Sequence, residues 1–232
     1  MSTVKTMLIT GASTGIGAAT ARMAVEAGYR VALAARSIDK LEDLVRELGG
    51  SEKAIAIGCD VTVYEQQTAM VDKTLKAFGR IDVAFANAGV GATAPGTLKG
   101  DPENWRDMIM TNLYGVTLTV KACMPEILKN RGHLLLTGSR AGRVTLKGSV
   151  YGATKWGVTG YGYNLREELV GTGARVTLIE PGMVDTPFFD SPKPDALREE
   201  DVARAVMYAV SQPDHVDVSE LVVLPVSKPD KA

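Results

Sequence analysis

The 232-residue sequence contains few cysteines, histidines and aromatic residues and no excess of either charge. Its two cysteines, Cys59 and Cys123, lack CxxC spacing, so we expect free thiols in a reducing compartment, the cytoplasm. Because the two histidines lie far apart in the chain, no metal site is expected. The 26 lysines and arginines balance 27 aspartates and glutamates, which gives no electrostatic reason to expect a nucleic acid or a membrane as a partner.

Long hydrophobic runs are also missing. No run approaches the roughly 18 residues that a membrane-spanning helix needs. The first residues show no charged leader followed by an apolar core and a cleavage site, so we expect no secretory signal. The composition is that of an ordinary folded protein, with 45% hydrophobic residues.

Short apolar runs alternate with segments of helical periodicity. Seven runs are nearly continuous, which is typical of parallel strands buried on both faces: 7–9, 31–34, 54–57, 83–86, 134–136, 176–179 and 221–224. The segments between them predict helices over about 15–27, 39–48, 64–78, 102–129, 151–171 and 200–211. This pattern predicts a single α/β domain over 1–226, a doubly wound parallel sheet (Rossmann fold) with about seven strands and helices on both faces. A flexible tail is expected over 227–232.

The first predicted strand leads directly into a glycine-rich turn and a helix. The glycines allow a tight turn, a close approach of backbone amides to a pyrophosphate and close packing of helix on strand. The helix N-terminus adds unpaired amides and the positive end of a dipole. We therefore predict that a dinucleotide binds here; the candidate contacts are Gly11, Ser13, Thr14, Gly15, Ile16 and Gly17.

Tyr151 and Lys155 form a second pattern. Residues four apart on a helix share a face, so the phenol and the ammonium point into one site. A free tyrosine has a pKa of about 10. A neighbouring lysine cation is expected to lower that pKa and make Tyr151 a general acid/base. Taken alone, the same spacing also fits a pair on a helix surface.

Ser139 follows the fifth predicted strand, at the end that lines the ligand crevice in α/β sheets. Its hydroxyl can donate to a substrate oxygen as negative charge develops there. Thr137 is the alternative hydroxyl. The TGxxxGxG turn, Ser139 and the Tyr151–Lys155 pair together resemble the short-chain dehydrogenase/reductase family over nearly the whole chain. Ser139 and Tyr151 are 12 residues apart, where many members have 13, so we expect a loop shortened by one residue before Ser149.

The resemblance implies roles for further residues. Asn112 would kink its helix and support a water beside Lys155, and Lys155 would also hold the nicotinamide ribose. A structural role for Asn112 is the alternative. The remaining implied cofactor contacts border the adenine, its ribose or the nicotinamide: Asp60, Val61, Asn87, Ala88, Gly89, Pro181, Gly182, Val184 and Thr186. For Asp60, capping of the following helix is the alternative.

Arg36 and Ser37 predict the type of dinucleotide. Sites that prefer NAD usually place a carboxylate at the end of the second strand, where this sequence has Ala35. The guanidinium of Arg36 would bind a ribose 2′-phosphate through charge-assisted hydrogen bonds, and Ser37 would add a hydroxyl. We therefore expect NADP(H) as cofactor, with a solvated Arg36 as the alternative.

The substrate side has weaker signals. Residues 188–198 are expected to form a lid. The candidate substrate contacts are Val90, Arg140, Leu146, Met183, Phe188 and Phe189. The two phenylalanines fit the core or a subunit contact equally well. Arg140 and Arg143 would either attract an acidic substrate or stay solvated.

Together these residues predict an NADP(H)-dependent oxidoreductase that moves a hydride between nicotinamide and a carbonyl or alcohol group of a small molecule. The expected branch is that of carbonyl reductases and hydroxy-acid dehydrogenases. The alternatives are a cofactor-binding sensor or scaffold without catalysis, and an isomerase or dehydratase. The resemblance also implies a homotetramer or homodimer formed through the helices at 102–129 and 151–171. Met108, Leu118 and Trp156 are then subunit contacts or core residues.

Overall fold

Seven parallel strands form the central sheet of the computed structural model, which describes residues 4–189 and 191–226. Two further strands of two residues each pair with one another. In chain order the strands are β1 (Thr6–Thr10), β2 (Arg30–Ala35), β3 (Ala54–Gly58), β4 (Val83–Ala86), β5 (His133–Thr137), β6 (Arg175–Pro181), β7 (Val184–Asp185), β8 (Leu197–Arg198) and β9 (Glu220–Val223). All seven predicted strands are confirmed. The predicted tail at 227–232 lies outside the described residues.

Eight α-helices accompany these strands in the described residues. They are α1 (Gly15–Glu26), α2 (Ile38–Glu47), α3 (Tyr64–Phe78), α4 (Gly96–Lys99), α5 (Pro102–Ile109), α6 (Gly115–Asn130), α7 (Val150–Leu169) and α8 (Glu199–Ser211). Successive residues of β1 point to opposite faces and join different hydrophobic clusters: Met7 packs with α1, α2 and α8, and Leu8 packs with α3, α6 and α7. The doubly wound α/β fold is therefore confirmed. In the described part of the chain, none of the helices has the length and apolar character needed to cross a bilayer.

The order of the strands in the sheet is β3-β2-β1-β4-β5-β6-β9. The chain builds outward from β1 to β3, then crosses back to β4 on the other side of β1. Because the chain leaves β1 and β4 in opposite directions, a crevice opens outside their carboxyl ends. This crevice is the place where the topology puts the predicted site.

The helix predicted over 102–129 is interrupted. Asp101 caps the start of α5 by accepting from the Glu103 amide, and Pro102 occupies the first helical position, where its missing amide hydrogen costs nothing. A π-helical turn, Met110–Tyr114, then separates α5 from α6. The turn carries Asn112, whose side chain is fully buried. At the position of the expected kink, the structure thus has a π-helical turn, and the kink itself stays a prediction.

Candidate active site

A cavity of about 760 Å³ opens at the carboxyl ends of the strands, and residues that follow each of β1 to β6 line it. It gathers all the predicted cofactor contacts except Gly17. These are Gly11, Ser13, Thr14, Gly15, Ile16, Arg36, Ser37, Asp60, Val61, Asn87, Ala88, Gly89, Tyr151, Lys155, Pro181, Gly182, Val184 and Thr186. The predicted cofactor contacts other than Gly17 therefore line one continuous cavity.

The glycine positions of the turn after β1 leave little room for a side chain. Gly11 and Gly15 have left-handed φ angles of 65° and 58°, which favour glycine. A Cβ on Gly11 would lie 2.7 Å from the Ala88 Cα, and one on Gly17 would lie 2.4 Å from the Gly11 carbonyl oxygen. Gly17 thus lies behind the cavity and lets α1 pack against the turn. The turn leaves backbone amides of the helix N-terminus facing the cavity, a cradle that fits a pyrophosphate.

Asn87 ties three strands together at this edge. Its side-chain nitrogen donates to the carbonyl oxygens of Thr10 and Gly11, at 3.1 and 3.2 Å. Its side-chain oxygen accepts from the Thr137 hydroxyl at 3.2 Å. Thr137, the alternative to Ser139, therefore uses its hydroxyl within the protein. The side chain of Asn87 holds the cavity floor together.

Ser139 and Tyr151 both line the cavity wall, and hydrogen bonding by the Ser139 side chain acts to lower the pKa of the Tyr151 phenol. Ser149 caps α7 by accepting from the Gly152 amide at 2.9 Å, which fixes Tyr151 in the first turn of the helix. Ser139 Oγ accepts from the Ala141 amide at 3.0 Å and lies 3.5 Å from the Pro181 carbonyl oxygen. Two local turns thus bring the serine and tyrosine hydroxyls together.

Lys155 is almost fully buried one turn further along α7. Its Nζ donates to the Thr137 carbonyl at 2.8 Å and lies 5.8 Å from the centre of the Tyr151 ring. Burial lowers the pKa of the Lys155 ammonium to about 8, so most of its charge persists at neutral pH. Serine, tyrosine and lysine therefore share one corner of the cavity.

The pKa of Tyr151 differs from the expectation. Desolvation in the cavity wall raises it above its ordinary value, and the hydrogen bond with Ser139 only partly opposes this rise. The sequence predicted a lowered pKa for Tyr151, and this is wrong for the chain taken by itself, in which the net shift is upward. The physical reason is that burial penalises the phenolate more than its hydrogen-bond partner favours it.

Asn112 holds the backbone beside the lysine. Its side-chain oxygen accepts from the Val90 amide at 2.8 Å, and its nitrogen donates to the Val90 carbonyl at 2.9 Å and to Thr154 Oγ1 at 3.3 Å. A Cβ on Gly89 would lie 3.3 Å from Asn112 Oδ1 and 3.9 Å from Lys155 Nζ. The structural role of Asn112 is thus visible, and its predicted role in supporting a water stays a prediction.

The end of the cavity formed by Asp60 and Arg36, where the adenosine was predicted, is more exposed. Asp60 Oδ1 accepts from the Thr62 amide at 2.9 Å and from its hydroxyl at 2.8 Å. Val63, not Asp60, occupies the N-cap of α3, so Asp60 closes a turn instead of capping the helix. Burial raises the pKa of Asp60, but the Thr62 hydrogen bonds and the nearby charge of Arg36 outweigh it, so the net shift is downward. Arg36 is exposed at the rim, near this carboxylate.

Two phenylalanines close the substrate side. The ring of Phe188 lies 5.9 Å from that of Tyr151 and 5.3 Å from that of Phe189, both in edge-to-face geometry. Gly91, which the sequence analysis missed, makes this possible, because a Cβ there would lie 2.9 Å from the Phe188 ring. Val90 also lines the cavity. In the described part of the predicted lid, 188–198, Phe188 and Phe189 are the residues that line the cavity.

Three predicted substrate contacts lie outside the cavity lining. Arg140 and Leu146 are exposed on the segment after β5. Met183 is half-buried between β6 and β7. Arg143 is half-buried and does not line the cavity; it forms ion pairs with Glu180 and Glu220. These placements reflect long-range partners and loop paths that the sequence pattern does not contain.

Comparisons with known proteins agree with this geometry. The family model for short chain dehydrogenases matches residues 5–196. An oxidoreductase of Staphylococcus saprophyticus, described as uncharacterized, is 37% identical over 229 residues, which cover 96% of this chain and 97% of the relative.

Two solved structures are also similar over nearly their full lengths. An alcohol dehydrogenase from the archaeon Thermococcus sibiricus, complexed with 5-hydroxy-NADP, is 33% identical with a TM-score of 0.88, covering 98% of this chain and all of its own. Serine dehydrogenase from Escherichia coli is 32% identical with a TM-score of 0.87, covering 96% and 99%. The chain therefore belongs to the short-chain dehydrogenase/reductase family of oxidoreductases.

Proposed function

We propose that this oxidoreductase uses NADP(H) and interconverts a carbonyl group and an alcohol on a small molecule, with Tyr151 as the general acid/base. The observation that carries the proposal is that Ser139, Tyr151 and Lys155 line one cavity that begins at the glycine turn, with Lys155 Nζ 5.8 Å from the centre of the Tyr151 ring. When bound, NADPH supplies the hydride that adds to the carbonyl carbon. The proton that completes the alcohol comes from the Tyr151 phenol.

The raised pKa of Tyr151 suits this role in reduction. At neutral pH the phenol keeps its proton and can donate it to the substrate oxygen. Ser139 donates a hydrogen bond to the same oxygen as negative charge develops. The Lys155 ammonium then stabilises the phenolate that remains. In the opposite direction Tyr151 must first lose its proton, so alcohol oxidation should become faster as the pH rises.

Arg36 supports NADP(H) over NAD(H). It lies at the rim of the cavity, directly after Ala35, the position at which NAD-preferring sites usually place a carboxylate. A positive guanidinium there favours a ribose 2′-phosphate. The Thermococcus sibiricus alcohol dehydrogenase, a similar structure, holds 5-hydroxy-NADP. Arg36 and Ser37 would provide the contacts to this phosphate.

The substrate end favours an uncharged carbonyl compound with an apolar substituent. Phe188 and Phe189 present aromatic surface next to Tyr151. The two arginines considered for an acidic substrate, Arg140 and Arg143, do not line the cavity, and Arg106, which does, pairs with Glu103. We therefore expect aromatic aldehydes and ketones to be better substrates than hydroxy acids of similar size.

The test combines NADPH absorbance with chromatography of the products. Wild-type protein should consume NADPH and form alcohol in equal amounts. The Tyr151→Phe variant should bind NADPH with nearly wild-type affinity, measured by fluorescence titration, and lose about 10²- to 10⁴-fold in kcat. Product formed at constant NADPH would instead show an isomerase or dehydratase. NADPH binding without turnover of any carbonyl would show a sensor, and normal turnover by Tyr151→Phe would refute the mechanism.

We further propose a cytoplasmic homo-oligomer. The reduced thiols of Cys59 and Cys123 are buried, which suits a reducing compartment. Of the three residues considered for subunit contacts, Met108 and Leu118 lie in the core, and Trp156 is 49% exposed on α7. Analytical ultracentrifugation of wild type and Trp156→Ala tests whether this face joins subunits.

A further inference from the structure

A cluster of charged and hydroxyl side chains lies directly behind Ser139, outside the cavity lining. Arg143 Nε donates to both carboxylate oxygens of Glu180, at 2.9 and 2.7 Å, and its guanidinium also pairs with Glu220. The Thr159 hydroxyl donates to Glu180 Oε1 at 3.0 Å. Glu180 is completely buried. The proposed reaction uses none of these charges.

The cluster connects four elements of the fold. Arg143 belongs to the turn after β5, Glu180 to β6, Thr159 to α7 and Glu220 to β9. Tyr163 on α7 closes the group, because its hydroxyl donates to Glu220 Oε2 at 2.9 Å and its ring centre lies 5.3 Å from the Arg143 guanidinium carbon. Arg143 is therefore the point at which the turn that carries Ser139 is fastened to the rest of the domain.

Two glycines show how tightly this turn is held. A Cβ on Gly138 would lie 3.0 Å from Glu180 Cγ. A Cβ on Gly142 would lie 2.7 Å from the carbonyl of Lys155. The turn is thus pressed between β6 on one side and α7 on the other, and Ser139 lies between the two glycines. A shift of this turn would move Ser139 relative to Tyr151 and Lys155.

Electrostatics make the Arg143–Glu180 pair sensitive to loss of either partner. A fully buried carboxylate is costly unless a counter-charge and hydrogen bonds neutralise it. Both oxygens of Glu180 accept from Arg143 Nε, while Nη2 of the same guanidinium pairs with Glu220. A planar guanidinium holds these two carboxylates in fixed directions, which the single nitrogen of an ammonium does not. Without Arg143, the buried carboxylate must bind a proton or move, and either change releases the turn.

We propose that Arg143 and Glu180 are positioning residues that keep the Ser139 hydroxyl in contact with Tyr151. They touch neither the cavity nor the reacting atoms and act through the turn that they fasten. The inference rests on the proposed function only for its kinetic consequences, because the Ser139–Tyr151 contact is itself measurable.

The variants are Arg143→Met, which keeps the length and removes the charge, and Arg143→Lys, which keeps the charge and removes the planar fork. Arg166→Met is the matched control. Arg166 also forms a partly buried ion pair, at 2.7 Å with Asp217, and its other partner is the Val176 carbonyl. If Arg143→Met does not fold, the double variant Arg143→Met/Glu180→Gln removes the unpaired buried charge as well.

Arg143→Met should lower kcat by about 100-fold while the KM for NADPH stays unchanged, because a misplacement of about 1 Å at a catalytic group costs that much. The kcat of Arg143→Lys should lie between those of Arg143→Met and wild type. In alcohol oxidation, the acidic limb of the pH profile should move to higher pH, because the lost Ser139 hydrogen bond no longer lowers the pKa of Tyr151. Arg166→Met should be less stable than wild type but keep its kcat and its pH profile.

A measurement without turnover separates this inference from the proposed function. Protein labelled with ¹³C in its tyrosine rings gives a titration curve for Tyr151 by NMR, assigned with Tyr151→Phe. The pKa of Tyr151 should rise in Arg143→Met and in the double variant, and stay at the wild-type value in Arg166→Met. An unchanged Tyr151 titration in the Arg143 variants would overturn the proposal, whether or not the protein reduces a carbonyl substrate.

Discussion

The two edges of the sheet carry polar side chains in similar abundance but use them in opposite ways. At the amino edge, where the strands begin, Asp82 accepts from the Thr6 amide at 2.8 Å and from Arg80 Nε at 2.8 Å. His133 lies 2.7 Å from the Thr177 hydroxyl, which donates to the Val218 carbonyl at 2.6 Å. Most of these groups find partners within the protein.

At the carboxyl edge, the chain turns away from the strand ends and leaves hydroxyl, amide and ammonium groups along a cavity. The comparison teaches that a buried polar group does not mark a functional site by itself. What distinguishes the two edges is whether the partners are already present in the protein or are left for a ligand.

The largest effect is expected for Lys155→Met at the carboxyl edge. Loss of the ammonium should lower kcat by about 10³-fold, within the range of general acid–base catalysis. Stability should hold or increase, because burial disfavours the charge. Since the pKa falls from 10.5 to about 8 on folding, this cost is fully present below pH 8 and disappears as the pH rises towards 10.5. Thermal unfolding and turnover measured on the same samples test both expectations, and a marked loss of stability near neutral pH would contradict the comparison.

Asp82→Ala at the amino edge should lower stability and leave turnover unchanged, the reverse of Lys155→Met. Removing this carboxylate takes one hydrogen-bond acceptor from the Thr6 amide and one from Arg80. The free energy of unfolding should therefore fall by about 3 kcal/mol. Asp82→Asn, which keeps one acceptor, should lose less. Urea unfolding measures the change, and kcat of the folded fraction should match the wild type. A drop in kcat larger than a few fold would mean that the two edges are coupled.

Arg36→Ala tests the exposed part of the carboxyl edge. Removal of a charged donor to the 2′-phosphate should raise the KM for NADPH about 10- to 100-fold and leave the KM for NADH nearly unchanged. Arg46, an exposed arginine on α2 that pairs with Asp43, provides the matched Arg46→Ala control. Equal effects of Arg36→Ala on both cofactors would show that the guanidinium is only a surface charge.

The smallest effect at neutral pH is expected for His133→Leu. Burial first, and the charge of Arg175 second, lower the pKa of His133 to about 3, from 6.5 in the unfolded chain. The unfolded state therefore binds the extra proton between these values, and wild-type stability should fall as the pH drops from 6.5 towards 3. His133→Leu should flatten this dependence in urea unfolding, whereas His215→Leu, at an exposed position, should not. Parallel curves for all three proteins would contradict the assignment.

The sequence predicted the sheet well because the five inner strands, β1, β2, β4, β5 and β6, are buried along nearly their whole length. Such strands are continuous apolar runs that remain visible without any knowledge of their neighbours. The two-residue strands β7 and β8 are too short to give a pattern, and the sequence missed them. The glycine turn and the Tyr151–Lys155 pair were also predictable, because their spacing is local.

The remaining features depend on contacts between distant parts of the chain. Arg143 and Glu180 are 37 residues apart, so the sequence around Arg143 does not indicate its partner. Gly91 is required by the ring of Phe188, almost a hundred positions later. Trp156 and Met108 share apolar character but differ in burial, which only the packing of helices decides.

The π-helical turn at Met110–Tyr114 has a consequence for how this chain can vary in length. It adds one residue to a helical path, and each residue of an α-helix advances the side chains by about 100° around its axis. Deleting a single residue from the turn would produce a regular helix joining α5 and α6. Asn112 would then rotate away from Val90, although no side chain at the site had been exchanged. The count of residues in this turn is therefore as constrained as their identity.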